Sequence, residues 1–280
     1  MAKRLTKTAC YKVMKEDYTR FYSPMPESWK ALFPVLTVKD LEEMGLHFTV
    51  NHTGKMSGMQ SLSTTCKCGN LCPSRIENAF KALGLENATD PKKALRDYIK
   101  EHPLATDVSI CGFCFSDTLQ DRQETMQIPL VRNFEILNGG IIHNDWLPVL
   151  NVLFFRGESF GDFASVNAVI NFYNLSKKNP AVNFTAWTKN LLFFHKATEA
   201  GHNKPDNFKL VFSSQFINKQ ATIATKYRYL VNAVFTVYTE EFARLHNITI
   251  NCGARACLAC LRCYKGFEDG EIKVINELLK

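Results

Sequence analysis

From Val152 onward the chain alternates short runs of β-branched and aromatic residues with longer amphipathic ones, and this rhythm constrains its fold more than any other feature. VLFFRGE (Val152 to Glu158), VNFTAWTKN (Val182 to Asn190), KLVFSSQ (Lys209 to Gln215), NAVFTVYT (Asn232 to Thr239) and ITIN (Ile248 to Asn251) read as strands. DFASVNAVINFYNLSKKN, LLFFHKATEAG, ATIATKYRYL and EEFARLHN lie between them as helical segments, several starting just after a polar residue fit to cap them. SLST, Ser61 to Thr64, supplies an earlier strand and brings the count to six. Strands joined by helices at this spacing predict parallel pairing through right-handed crossovers, hence an α/β sheet or barrel covered by helices over 61–251. SRIENAFKALG from Ser74 and PKKALRDYIKEH from Pro91 have helical periodicity and form an insertion at 74–110. Residues 1–60 are expected to pack on this body, and 252–280 to form a cysteine-rich metal loop and a C-terminal helix.

In such folds the chemistry gathers at the carboxyl ends of the strands. Two groups of cysteines fall there in the sequence. Cys66, Cys68 and Cys72 follow SLST and are joined across the insertion by Cys111 and Cys114; Cys252, Cys257, Cys260 and Cys263 follow ITIN. Cys10 stands apart with no partner nearby and is not expected to be a ligand.

No stretch carries the ~20 uninterrupted apolar residues that cross a bilayer, and the basic start MAKRLTKTACYKVMKEDYTR has no apolar signal core, so no membrane partner is expected and the chain is assigned to the cytoplasm. Reduced cytosolic thiols disfavour structural disulfides and turn clustered cysteines toward metal or redox roles. Net charge +7 could attract nucleic acid or another polyanion, although much of it is scattered lysine on a solvated surface.

The later group has the spacing C-x4-C-x2-C-x2-C. A C-x2-C pair lets two thiolates reach one ion from a tight turn, and four complete either a zinc site or an iron–sulfur cluster. Buried free thiols are the bland alternative, but Gly253, Arg255 and Arg262 interleave the cysteines. The earlier group offers five thiols, more than one ion needs, and also fits a zinc clip that ties the ends of the insertion together.

These residues resemble the radical S-adenosylmethionine superfamily, in which three cysteines after the first strand of a partial (β/α)6 barrel hold a [4Fe-4S] cluster. Cys72, Cys111 and Cys114, followed by Phe115, take those places here, although about forty residues separate the first two where the superfamily has three. The resemblance extends to Arg156, Gly157, Glu158 and Ser159, which stand where the superfamily's second strand ends in Gly-Gly-Glu, and to the TKN turn at Lys189 and the serines Ser213 and Ser214. It implies a cofactor site in which Glu158 accepts from the amino group of S-adenosylmethionine, with Ser159 or Ser213 on its carboxylate or ribose. A strand-end Glu is otherwise a capping or salt-bridge residue. The order of SLST, C-x2-C-aromatic, GDF (Gly161 to Phe163), TKN and a cysteine-rich tail also resembles the phage gene-product-88 family, found on phages and mobile elements.

The residues thus suggest an iron–sulfur protein with one or two [4Fe-4S] clusters, a redox or radical enzyme acting on an unknown small-molecule or macromolecular substrate. The alternative is a zinc-stabilised binding module that engages nucleic acid or a host protein. His143, His195 and His202 lack ligand spacing, and no Walker loop, G-x-G-x-x-G or G-x-S-x-G is present.

Overall fold

The computed structural model describes residues 46–279 apart from 53, 70, 123, 254 and 269. Cys10 and most of the expected N-terminal region lie outside the described residues. In chain order the elements are β1 (Phe48–Val50), β2 (Gln60–Leu62), α1 (Leu71–Lys81), α2 (Pro91–Glu101), α3 (Phe115–Arg122), α4 (Glu124–Gly139), β3 (Phe154–Gly157), α5 (Val166–Lys178), β4 (Asn183–Thr188), α6 (Leu192–Glu199), β5 (Phe208–Ser213), β6 (Ala233–Tyr238), α7 (Glu240–Leu245), the single turn α8 (Cys257–Cys260) and β7 (Lys273–Leu278).

The strands form one mixed sheet in the order β1-β2-β3-β4-β5-β6-β7. Only β1 runs antiparallel to its neighbour; β2 to β7 are parallel throughout. Parallel strands laid down in sequence order, with crossovers of one hand, place their helices on one side of the sheet. The core follows this arrangement. Phe155, Phe184 and Phe208 alternate onto the face where α5 and α6 bring Phe172, Tyr173 and Phe194, and Phe163 joins them; all are fully buried and several meet edge-on, as Phe163 and Phe194 do at 4.7 Å. Each such ring stabilises the fold by roughly 1.5–3 kcal/mol through burial alone.

Local signals set the helix starts. Ser165 caps α5 by accepting from the Ala168 amide, Asp90 caps α2 by accepting from Lys93 with Pro91 behind it, and Thr239 caps α7 through Phe242. Within the insertion, Phe80, Leu95, Ile99, Val108 and Ile217 make a separate small core.

Three expectations change. ITIN is not a strand; the sixth parallel strand is β7, which lies beyond the cysteines and pairs with β6 over its whole length. No C-terminal helix lies within the described part of 252–280, because Val274, Ile275 and their neighbours are drawn into that ladder. ATIATKYRYL is not an α-helix: its second half, Thr225–Leu230, is a 3-10 turn that runs into β6. The helices α3 and α4, spanning most of 115–139, lie outside the segments that periodicity singled out.

Candidate metal centres

The connections between strands carry the described cysteines to two separate parts of the molecule. The first group stands at the carboxyl ends of β2, β3 and β4. Leaving β2, the chain ties itself to the end of β3. The Thr64 amide donates to Glu158 Oε2 at 3.0 Å, the Thr64 hydroxyl donates to the same carboxylate, and the Ser159 amide donates to Ser63 Oγ at 2.8 Å. Cys66 follows directly, fully buried, and accepts from Gln120 Nε2 of α3 at 3.2 Å.

The insertion then folds back. Its exit is a 3-10 turn, Ile110–Phe113, capped by Ser109 and packed on α1 and α2, and Gly112 fits there because its Cα faces Leu95 and Ala79. This turn delivers Cys114 beside Cys66, near enough for the two thiols to share a proton, and the Asp117 amide donates to the Cys114 sulfur at 3.4 Å. The Cys66 bond, the Asp117 amide and the charge of Lys189 outweigh burial and hold Cys114 below the ordinary thiol range; its partner Cys66 is raised, by that shared bond and then by burial. Cys72, on the first turn of α1, is pushed up by burial and by Asp162, and it also feels Cys114 and Cys111. Cys68 diverges from this group and packs on Val131 and Phe134 of α4.

Glu158 and Asp162 complete the rim. Burial drives the Glu158 carboxyl up to about 7 against the bonds from Thr64 and Gly161, and its backbone is left-handed, with φ of 51°. Asp162 of the GDF motif holds three elements together: Arg75 of α1 at 3.0 Å, the Thr188 hydroxyl at 2.6 Å and the Lys189 amide at 2.9 Å. The buried Ser159 Oγ has no hydrogen-bond partner. An orphaned hydroxyl beside a strand-end carboxylate and a set of thiols fits a ligand at this rim.

The second group packs on the sheet face opposite the one that α5 and α6 cover. Cys252 and Cys263 pack with Val211, Ala233, Phe235 and Ile275 on that face. The Cys252 amide donates to Asn276 O of β7, and Cys263 O accepts from Thr185 of β4 at 2.7 Å. Cys252, Cys257, Cys260 and Cys263 line a cavity of about 140 Å³ together with Arg156, Trp187, Lys55 and Glu277. Arg156 points here because residues of β3 alternate. Its guanidinium carbon sits 4.2 Å from the Trp187 ring centre, and its buried Nε has no hydrogen-bond partner. Burial raises Cys263 to about 12 and also raises Cys252 and Cys257. Lys55 forms an ion pair with Glu277 at the cavity edge.

The residues expected to form one cofactor site are therefore dispersed. Glu158, Ser159 and Lys189 belong to the rim, whereas Arg156 faces the second group. Gly157 is a packing residue: a methyl there would meet Phe172 Cε1 of α5 at 3.0 Å. Ser213 ends β5, two strands from Glu158, and no hydrogen bond joins them among the described residues. His143 contacts Asp145, and His195 contacts Tyr229 and Glu199. Thr64, Asp162, Arg75, Trp187 and Lys55 were not candidates from sequence; the GDF motif pointed at Asp162 without giving it a role. Among the described residues no three His, Cys, Asp or Glu side chains are drawn into a ready-made metal cage, and no helix is long and apolar enough to cross a membrane.

Fold and sites together define a mixed α/β protein with a seven-stranded, mostly parallel sheet, cysteine-rich at one rim and on one face. The family model Gene product 88 matches residues 35–271, and the chain belongs to that family. No curated protein and no solved structure matches the chain.

Proposed function

We propose that this protein is an iron–sulfur protein with two cysteine-held centres, the one at the strand ends being the reactive one. The observation that carries this reading is the convergence of Cys66, Cys72, Cys111 and Cys114. A connection of about forty residues folds back on its own small core and returns Cys114 to the side of Cys66. A chain that needed only buried apolar volume would not need thiols from three separate segments at one rim, and a bound cluster would draw them the rest of the way together.

Six parallel strands in sequence order are the arrangement of a partial (β/α)6 barrel, and the resemblance to the radical S-adenosylmethionine superfamily draws support from it. A four-iron cluster on Cys72, Cys111 and Cys114 would supply an iron open to a small ligand and an electron for reductive cleavage of a sulfonium. Around it, this chain's own groups would do the positioning. Glu158 would accept from a ligand amino group in place of the Thr64 hydroxyl, the unpartnered Ser159 Oγ would meet a carboxylate or ribose, and Lys189 would hold negative charge beside Cys114. Cys66 would then support the cluster from the Gln120 side or close its open position.

Purification without oxygen, with iron and sulfide analysis and paramagnetic resonance, tests this. The expected result is a coloured protein whose reduced signal changes when S-adenosylmethionine is added, with Glu158→Ala weakening the change. A cluster indifferent to that cofactor would remove the radical chemistry and leave the iron–sulfur assignment standing. Colourless protein with zinc in both sites would overturn the proposal. It would favour a zinc-stabilised module that binds nucleic acid or a host protein, for which the exposed Arg255, Arg262 and Lys265 beside the second group speak. Nucleic-acid affinity would then fall steeply with salt.

A further inference from the structure

Four cysteines and a buried guanidinium share the cavity beside β3, β4 and β7. Cys252, Cys257, Cys260 and Cys263 line it together with Arg156 and Trp187. Arg156 remains charged between them and Trp187, with its buried Nε unpartnered, and no ion pair to a carboxylate is found for it among the described residues. Glu277, the carboxylate that lines the cavity among the described residues, is engaged by Lys55. A buried cation with no counter-charge is costly, and an anion placed in this cavity would offset that cost.

We infer that Arg156 is the charge partner of an anionic metal centre formed by Cys252, Cys257, Cys260 and Cys263. The inference rests on the proposal that these cysteines hold a metal, and it adds a residue to that centre. Four thiolates around a divalent core, whether one zinc ion or an oxidised four-iron cluster, carry a net charge of about −2. Arg156 offers that charge a guanidinium fixed in direction by the Trp187 ring, donating from a nitrogen that has no other use. For an iron–sulfur core, a cation held at this place favours the more negative, reduced form and so shifts the reduction potential upward.

The full-length chain, purified metal-free, is titrated with cobalt(II). The thiolate-to-cobalt absorption that Cys257→Ser abolishes is assigned to this centre. Arg156→Met keeps a long apolar stem against Trp187 and removes the charge; Arg156→Lys keeps the charge. Arg156→Met is expected to weaken cobalt binding by about 10–100-fold, the usual effect of losing a supporting group, with Arg156→Lys recovering much of the loss. Metal-free Arg156→Met is expected to melt no lower than the metal-free parent, while its cobalt-loaded form melts lower than the loaded parent. Equal cobalt affinity in the parent and Arg156→Met would overturn the inference and leave the metal centre intact. An equal drop in melting temperature with and without cobalt would overturn it too, since that is the mark of a packing role. Absence of any Cys257-dependent cobalt signal in the parent would overturn both the inference and the centre on which it rests.

Discussion

Thr64 donates to the Glu158 carboxylate from both its amide and its hydroxyl, at 3.0 Å in each case, across 94 residues of chain. The ends of the first two parallel strands are thereby fixed to each other, and the loop that carries Cys66 leaves from that fixed point.

Gly161 closes over this pair. A methyl group there would collide with Thr64 Oγ1 and stand 2.9 Å from Glu158 Oε2 and from the Thr64 carbonyl, which is backbone and cannot swing away. Gly161→Ala is expected to destabilise the protein by about 1–3 kcal/mol. A lower urea midpoint at unchanged slope would show it.

Glu158 gives the fold a pH dependence of definite sign. The folded carboxyl keeps its proton to about pH 7, while the unfolded one loses it near 4.5. Between these values the folded state binds more protons, so this group's contribution to stability falls as pH rises from 4.5 to 7 and stays low above. The full effect is on the order of 3 kcal/mol. Glu158→Gln should flatten that part of the profile, measured as urea midpoints of metal-free protein from pH 4.5 to 8.

Cys257→Ser should lower metal content and the melting temperature of loaded protein, because the free energy of binding metal in such a loop is free energy of folding. Cys10→Ser should keep the full metal complement. Metal analysis of the two variants side by side checks both.

Leu95 is fully buried in the insertion's small core and faces Gly112 of the turn between Cys111 and Cys114. Leu95→Ala should cost about 2–5 kcal/mol. It should also loosen metal retention by the first cysteine group and leave the second unchanged, a difference that chelator competition would resolve.

Much of the parallel body was legible because its strands are rich in β-branched and aromatic residues: Phe154–Gly157, Asn183–Thr188 and Ala233–Tyr238 each fall within a run that periodicity marks, and Phe208–Ser213 starts one residue before its run. ITIN misled because three β-branched or apolar residues in a row resemble a short buried strand, while its backbone only leads into the cysteine segment. The C-terminal helix expected in 252–280 gives way to KVINEL as a strand because pairing with β6 along its whole length decides the conformation, and that pairing is not written in the local sequence. At the sites, the cysteines announced themselves. The direction of Arg156 did not, since FFRGES can be read as one continuous strand end, whereas β3 stops at Gly157 and the left-handed backbone at Glu158 turns its carboxylate away from the face that Arg156 occupies. Trp187 as its stacking partner depends on the register of β3 against β4, which a single sequence does not carry.

The cysteine segment lies between β6 and β7 in the chain, and the amides of Asn251 and Cys252 both bond to Asn276 of β7. The position of Cys252 thus depends on β7 being paired with β6, while Cys260 stays exposed. On the proposal that these cysteines hold a metal, the four-cysteine set would be complete only in a chain whose last strand is paired, so retention of the metal and docking of β7 would be one linked equilibrium.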